Sequence, residues 1–156
     1  MKAIILTFAP VEDKDKELLK NTDIFKMAIN NHAEELQPHQ RICSDYGIVG
    51  ELLQDFSQKI VTIRDWATND RLIYAGYIFF KGSTMVCAIE YLISKGYTDI
   101  LIVGDNTVHQ DFFMERIKKE IDFIQEVNSD VKIFQYSNGN FNLPTKTVEQ
   151  FINERK

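Results

Sequence analysis

The residues best suited to binding an anion lie at Gly82, Ser83 and Thr84, where a small-residue turn precedes a helical pattern. Backbone N–H groups, two hydroxyls and the positive end of the helix can together hold a phosphate or a carboxylate. Helix capping explains the same residues equally well, because serine and threonine satisfy the first amides of a helix. The turn is neither a Walker loop, which ends in Gly-Lys-Ser/Thr, nor a dinucleotide-binding fingerprint.

Further polar residues follow the predicted strands. Gly104 and Asp105 come directly after an apolar run, and His109 lies four residues further on. A carboxylate at such a place can contact a ribose hydroxyl, a metal or an acceptor group, and a histidine can act as a general acid or base near neutral pH. Asn30 and Asp45 also follow predicted strands and are candidate nucleotide contacts. Ordinary turn formation is the alternative for each asparagine and aspartate.

A helix and a strand position the central candidates. The strand at residues 99–103 is apolar without alternation, which indicates burial on both faces in a parallel sheet. The preceding helix ends at Gly96, a typical C-cap residue. Its predicted apolar face comprises Met85, Ile89, Leu92 and Ile93. Because ligands bind beyond the carboxyl ends of such strands, residues 82–84 and 104–105 are expected at one edge, and His32 is a further candidate for it.

The rest of the chain alternates between strand and helix patterns. Strands are predicted at residues 2–8, 23–29, 41–44, 59–63, 99–103 and 131–136, with a short extended segment at 72–80. Helices are predicted at 12–20, 47–56, 84–95, 111–127 and 145–155, with a single turn at 34–37 and a loop at 64–71. This alternation predicts one doubly wound, three-layer α/β domain with a mostly parallel sheet, covering residues 1–156.

Composition narrows the classes of partner. The 156 residues carry a formal charge of −5, with 44% apolar and 26% charged residues and no Lys/Arg-dense stripe, which argues against a nucleic-acid partner. Cys43 and Cys87 lack a metal-binding spacing. Without a signal peptide they are expected to be reduced thiols in the cytoplasm. No apolar run approaches the roughly 18 to 20 residues that span a bilayer, so no membrane span is expected.

The central stretch resembles the core of the bacterial family 42 sialyltransferases and of the related motility-associated-factor glycosyltransferase-like proteins. The resemblance rests on Lys81-Gly82-Ser83-Thr84, Ala88-Ile89, Gly96-Tyr97-Thr98-Asp99-Ile100 and Gly104-Asp105. It extends to Asp23-Ile24-Phe25-Lys26 with Asn30, and to residues 118–134, so that it covers about half the chain. The resemblance implies a Rossmann-like domain that holds a CMP-sugar at the strand ends and transfers the sugar to an acceptor hydroxyl.

Carried over to this chain, the resemblance implies that Ser83 and Thr84 contact the nucleotide phosphate or ribose, and that Asn30 contacts the nucleotide. His109 is the histidine near the place of the family's catalytic base, although it lies closer to the Gly-Asp pair. The family's Gly-Asn-Gly-Pro-Ser-type loop is replaced here by Thr7-Phe8-Ala9-Pro10-Val11, which keeps only the proline. A Cβ at Ala9 crowds a backbone that glycine would leave free.

Three functions are compatible with these residues. The leading hypothesis is a glycosyltransferase-like domain in cell-surface glycan synthesis, with His109 or Asp105 as the catalytic base, a nucleotide sugar as substrate, and no cofactor or bound metal. The second is a non-catalytic α/β module that lost the active loop and acts through a partner or as a homodimer. The third is a small-molecule (di)phosphokinase, which would require magnesium held by Asp45 and Asp105.

Overall fold

Seven parallel strands form one sheet in the computed structural model, which describes residues 1–7, 10–44, 46–62, 69–75, 83–104, 111–137 and 139–154. The strands are β1 (Lys2–Leu6), β2 (Phe25–Ile29), β3 (Gln40–Cys43), β4 (Lys59–Thr62), β5 (Leu72–Tyr74), β6 (Asp99–Val103) and β7 (Lys132–Gln135). All six pairings between neighbouring strands are parallel. The predicted doubly wound, mostly parallel architecture is therefore confirmed.

The strand order, β5-β4-β3-β2-β1-β6-β7, places the reversal of winding between β1 and β6, two strands from one edge of the sheet. The first five strands are added outward from β1 in one direction. The chain then returns across the sheet and lays β6 against the other side of β1, with Leu6 opposite Val103. Open α/β sheets bind ligands at this kind of reversal, outside the carboxyl ends of the strands.

Five helices cover the two faces of the sheet. They are α1 (Asp13–Asn21), α2 (Tyr46–Asp55), α3 (Thr84–Ser94), α4 (Asp111–Val127) and α5 (Val148–Asn153), and a single 3-10 turn lies at Glu34–Leu36. Within the described ranges, none of the helices combines the length and the apolar character that a bilayer span requires.

Alternating strand residues divide the core into two layers, because successive side chains of a strand point to opposite faces. Ala3 and Ile5 pack with α3 and α4 in one cluster. Ile4 and Leu6 pack with α1 and α5 in the other. A smaller group beneath α2 includes Cys43.

Helix α3 is more deeply buried than its predicted apolar face suggested. Val86, Cys87, Ala88 and Tyr91 are buried as well, whereas Ile93 is only half-buried. The helix ends at the predicted glycine: Gly96 has a φ of 94°, and the N–H groups of Gly96 and Tyr97 donate to the carbonyls of Ile93 and Leu92. These are the two hydrogen bonds of a Schellman motif, which requires a left-handed residue.

Most element boundaries differ from the prediction by one or two residues, and the larger differences have identifiable causes. Strand β1 ends at Leu6 and β5 spans Leu72–Tyr74, while residues 76–80 of the predicted extended segment lie outside the described residues. The last helix starts at Val148, because Thr147 and Gln150 form a capping box there and the preceding Thr145 bridges to Gln135 instead. The greater part of the predicted loop at 64–71 lies outside the described residues.

Candidate functional site

A cleft of about 370 Å³ opens at the carboxyl end of β1. Its apolar lining consists of Leu6, Pro10, Val11, Ala33, Leu36 and Val103. Its polar lining consists of Thr7, Lys16, His32 and Glu35. Ligand pockets in proteins are commonly a few hundred cubic ångströms and mostly apolar, with a small number of polar groups. The cleft has both properties and lies at the reversal of strand order.

Strands β1 and β6 form the base of the cleft. The Thr7 backbone N–H donates to the Val103 carbonyl at 2.9 Å, and its hydroxyl donates to the same oxygen at 3.2 Å. This pairing extends the β1–β6 ladder by one residue beyond Leu6. Gly104 follows with a φ of 116°, a conformation open to glycine because it lacks a Cβ. Strand β6 therefore ends directly beside the cleft.

Lys16 projects from α1 and supplies the cleft with a cation. Its side chain is half-buried, and it makes no ion pair or hydrogen bond with any residue of the described ranges. The neighbouring lysines of the helix differ, since Lys14 pairs with Glu12 and Lys20 pairs with Glu17. Lys16 is thus available for an anionic ligand.

His32 contributes a titratable group from the segment after β2. Burial lowers the pKa of its imidazole, and the positive charge of Arg41 lowers that pKa further. An imidazole with a lowered pKa is neutral at pH 7 and can accept a proton or a hydrogen bond. Glu35, from the 3-10 turn, is the acidic group of the cleft.

The start of α1 is tied to the far end of the sheet. The Tyr136 hydroxyl, after β7, donates to the Asp15 carboxylate, and the Glu12 N–H approaches the same hydroxyl at 3.5 Å. Asp15 and Tyr136 are both buried. Because Lys16 follows Asp15 directly, this contact fixes the turn of α1 that presents Lys16 to the cleft.

Ser83 and Thr84 lie at the start of α3, on the carboxyl edge of the sheet. The Ser83 side chain accepts from the Met85 N–H at 3.2 Å, so it caps the helix. The Thr84 hydroxyl lies 2.6 Å from that of Ser44, which follows β3. Since β2 separates β3 from β1, Ser44 is displaced from the β1 end by two strand spacings, or about 10 Å.

Of the other predicted site residues, Asn30 is described in full. It has a φ of 51°, its N–H donates to the Ile42 carbonyl, and its buried Oδ1 has no hydrogen-bond partner in the part of the chain that the structure describes. Gly104 borders the cleft through Val103. Asp45, Gly82, Asp105 and His109 lie outside the described residues.

Sequence reasoning missed most of the cleft. Of its polar lining, only His32 was a candidate, because it follows a strand. Thr7 and Lys16 carry no local motif, although Pro10 after a buried strand marks the point where the chain leaves the sheet. Among the described residues, no group of three His, Cys, Asp or Glu side chains has the arrangement of a metal site.

No protein-family model and no curated protein sequence matches the chain. Two solved structures are similar to it. The first is the sialyltransferase CstII from Campylobacter jejuni in complex with a substrate analogue, cytidine-5'-monophosphate, with a TM-score of 0.53, 13% identity, and coverage of 86% of this chain and 78% of that chain. The second is the sialyltransferase CST-II in complex with a trisaccharide acceptor and CMP, with a TM-score of 0.52, 11% identity, and coverage of 85% and 80%. This chain therefore shares its fold with these sialyltransferases.

Proposed function

We propose that this chain is a glycosyltransferase-like domain that binds the nucleotide of a nucleotide sugar, with a CMP-sugar as the preferred donor. The observation that carries the proposal is the cleft at the reversal of strand order, with the unpaired Lys16 in its wall. The fold shared with two CMP-bound sialyltransferases supports the choice of ligand class.

The size and chemistry of the cleft suit a mononucleotide. Its volume of about 370 Å³ lies near the lower end of ligand pockets, so the sugar of a donor extends beyond it along the carboxyl edge. Lys16 neutralises the phosphate, and the apolar wall packs against the base. Asn30, Gly104 and the Ser83–Thr84 helix start lie along the same edge and are the proposed contacts for the remainder of the donor.

The proposed reaction is direct displacement at the anomeric carbon. An acceptor hydroxyl forms the new glycosidic bond, the bond between the sugar and the phosphate oxygen breaks, and the nucleotide leaves with that electron pair. His109 or Asp105 takes the proton of the hydroxyl in this scheme, which follows from the family resemblance. The positive charge of Lys16 at the cleft stabilises the leaving phosphate in this scheme.

A thermal-shift screen tests nucleotide binding. CMP, UDP, GDP, ADP and their sugars are added with and without magnesium, and a ligand at 100 times its dissociation constant should add about 2.7 kcal/mol of stability. Lys16→Ala should weaken binding about tenfold through loss of a charge-assisted hydrogen bond. Lys14→Ala, on the exposed side of the same helix, is the matched control and should bind like the wild type. No stabilisation by any nucleotide would refute the proposal.

The non-catalytic alternative has one observation in its favour. Val11 lines the cleft in a segment where the resembling family keeps a glycine-rich loop, and its side chain occupies space near the proposed phosphate. Stabilisation by CMP, without release of CMP from a CMP-sugar in the presence of acceptor glycans, would support this alternative. A shift that requires magnesium would instead favour the phosphokinase.

A further inference from the structure

The wall of the cleft opposite Lys16 has an unusual backbone. Residues 30–39 connect β2 to β3, and this connecting segment supplies His32, Ala33, Glu35 and Leu36 to the cleft. Asn30, Ala33 and Gln37 in it have positive φ values of 51°, 61° and 54°. Alanine and glutamine rarely adopt this conformation, which persists only where the surrounding structure enforces it.

Arg41, on the adjacent strand β3, supplies the enforcing contacts. It is fully buried, and its Nη1 donates to the carbonyls of Asn30 at 3.0 Å and His32 at 2.6 Å. Its Nη2 donates to the Glu34 carboxylate. A single guanidinium therefore holds three residues of the connecting segment in place.

Two further contacts fix the guanidinium itself. Its Nε donates to Gln58 Oε1 at 3.2 Å, and its carbon atom Cζ lies 3.9 Å from the centre of the Phe56 ring. Gln58 also donates to Glu34, at 3.1 Å. The planar fork of arginine can serve these partners together, whereas the single ammonium of lysine cannot.

Stability alone is a poor explanation for this arrangement. The Glu34 side chain is 50% exposed, so its ion pair with Arg41 is partly solvated and of modest value. Burying a guanidinium is costly, and an apolar residue of similar size often replaces a buried ion pair without loss of stability. The main effect of the buried Arg41 is therefore to fix the backbone geometry of the connecting segment.

We propose that Arg41 is a positioning residue, whose buried guanidinium fixes the backbone of residues 30–34 and thereby places His32 in the wall of the ligand cleft. The proposal rests on the proposed function only for the identity of the ligand. The geometry of the wall is a property of the free protein.

The chain contains a matched control. Arg71 also donates from one guanidinium to three carbonyls, those of Leu53, Phe56 and Gln58, but it holds the connection between α2 and β4. None of these residues lines the cleft. Arg71 is half-buried, and Phe56 and Gln58 also contact Arg41 through their side chains. Arg71→Met leaves every hydrogen bond from Arg41 to residues 30–34 in place, so it controls for a general loosening around α2 and β4.

The experiment compares wild type, Arg41→Lys, Arg41→Met and Arg71→Met, with Glu34→Ala as a mild variant should Arg41→Met fail to fold. Native-state hydrogen exchange is measured by NMR at the amides of His32, Leu36 and Gln37, which donate to the carbonyls of Ile29, Ala33 and Glu34. Exchange there should be about tenfold faster in both Arg41 variants than in Arg71→Met, at matched global stability. Glu34→Ala should show a smaller acceleration at the same amides.

The pKa of His32 distinguishes the effect of the positive charge of Arg41 from the effect of its hydrogen bonds to the connecting segment. Its charged surroundings are Arg41 from β3, Lys16 from α1 and Glu35 from the 3-10 turn. The pKa of His32 should rise in Arg41→Met, which loses a positive neighbour. It should stay low in Arg41→Lys, which keeps the charge, although exchange is accelerated in both.

Equal exchange in Arg41→Met and Arg71→Met, at matched global stability, would overturn the positioning role. The CMP-dependent melting shift is measured on the same proteins. A wild type that CMP does not stabilise would refute the proposed function, while the exchange data would still decide the role of Arg41. If CMP stabilises the wild type, its shift should be smaller in Arg41→Lys and unchanged in Arg71→Met.

Discussion

On the face of the sheet that packs against α3 and α4, the fully buried strand residues are all apolar, and the polar side chain of Gln40 is only half-buried. The face beneath α1, α2 and α5 differs, because it buries Lys26 and Arg41 on adjacent central strands. Both faces are closed to solvent, but the second also lies beneath the cleft. The comparison indicates that apolar packing on one face stabilises the domain, while buried polar groups on the other fix the walls of a site.

Lys26 illustrates this second kind of contact. Its Nζ donates to the Leu19 carbonyl at 2.6 Å, near the end of α1, and to the Leu36 carbonyl at 3.1 Å, in the cleft wall. Burial lowers the pKa of this lysine, and Asp23 opposes the effect. A cation at a helix C-terminus satisfies carbonyls that have no partner within the helix. One buried side chain thus joins α1, which carries Lys16, to the segment that carries His32.

The largest expected effect is a loss of packing on the apolar face. Ile102, fully buried in β6, lies in the cluster with α3 and α4, and Ile102→Ala should cost about 2–5 kcal/mol in the free energy of unfolding. Urea denaturation measures this loss. The CMP-dependent melting shift should remain at its wild-type value, and its disappearance would show that the two faces are not independent.

The contact between Tyr136 and Asp15 gives the second prediction, which depends on pH. Burial, and then the hydrogen bond to Asp15, raise the pKa of Tyr136 to about 12, above its unfolded value near 10. The contribution of the protonated hydroxyl is therefore fully present below pH 10 and is lost as pH rises through 12. Tyr136→Phe should cost about 1–3 kcal/mol at pH 7, because the buried Asp15 carboxylate loses its donor.

This prediction is checked by urea denaturation of wild type and Tyr136→Phe between pH 7 and pH 11. The difference in stability between them should be constant to about pH 10 and decline above it. Tyr74→Phe, at an exposed tyrosine on β5, is the control and should show no such decline. A stability difference that does not change with pH would contradict the assigned role of the hydroxyl.

Two helix caps on opposite faces give a matched pair of smaller effects. Ser83 caps α3 and Thr147 caps α5, each by accepting from a backbone N–H. Ser83→Ala and Thr147→Ala should each lower the free energy of unfolding by about 1 kcal/mol, as measured by urea denaturation. If CMP binding is lost only in Ser83→Ala, the nucleotide contacts the start of α3, as the family resemblance implies.

The smallest expected effect concerns the hydroxyl pair between Ser44 and Thr84. Thr84→Val keeps the shape of the side chain and removes one hydroxyl, so its cost in unfolding free energy should be about 1 kcal/mol or less. Calorimetry measures the affinity of Thr84→Val for CMP and for a CMP-sugar. The comparison shows whether Thr84, at the carboxyl edge of the sheet, contacts the sugar while the cleft holds the nucleotide. A weaker affinity for the CMP-sugar alone would place the sugar at Thr84, whereas equal affinities would place it elsewhere.

Much of the fold was predictable because its signals are local. The strand predicted at residues 99–103 from the uninterrupted apolar run of 100–103 matches β6 in its bounds, and the helix predicted from the amphipathic pattern of 111–127 matches α4 in the same way. Gly96 marked the end of α3 because a left-handed C-cap favours glycine. The bounds of β1 and α5 were less accurate, since their ends depend on partners such as Gln135 and on the capping box at Thr147.

The site was less predictable, since its members are distant in sequence. Thr7, Lys16, His32 and Val103 come from four segments, and only the strand order brings them together. Ser83 and Thr84 form a local motif that sequence reasoning could find, and the structure shows that both hydroxyls already have partners. Asn30 was a candidate from its position, but its left-handed backbone depends on the neighbouring strand.

The sequence by itself determined the succession of strands and helices and the parallel α/β class, because hydrophobic periodicity and capping act over a few residues. Only the tertiary structure decided where the cleft lies and which charges are buried. Arg41 and Lys26 interrupt apolar strand patterns as ordinary polar residues would, and their roles follow from the carbonyls that surround them after folding. The burial and partners of a charged group are set by distant segments, which a local pattern does not encode.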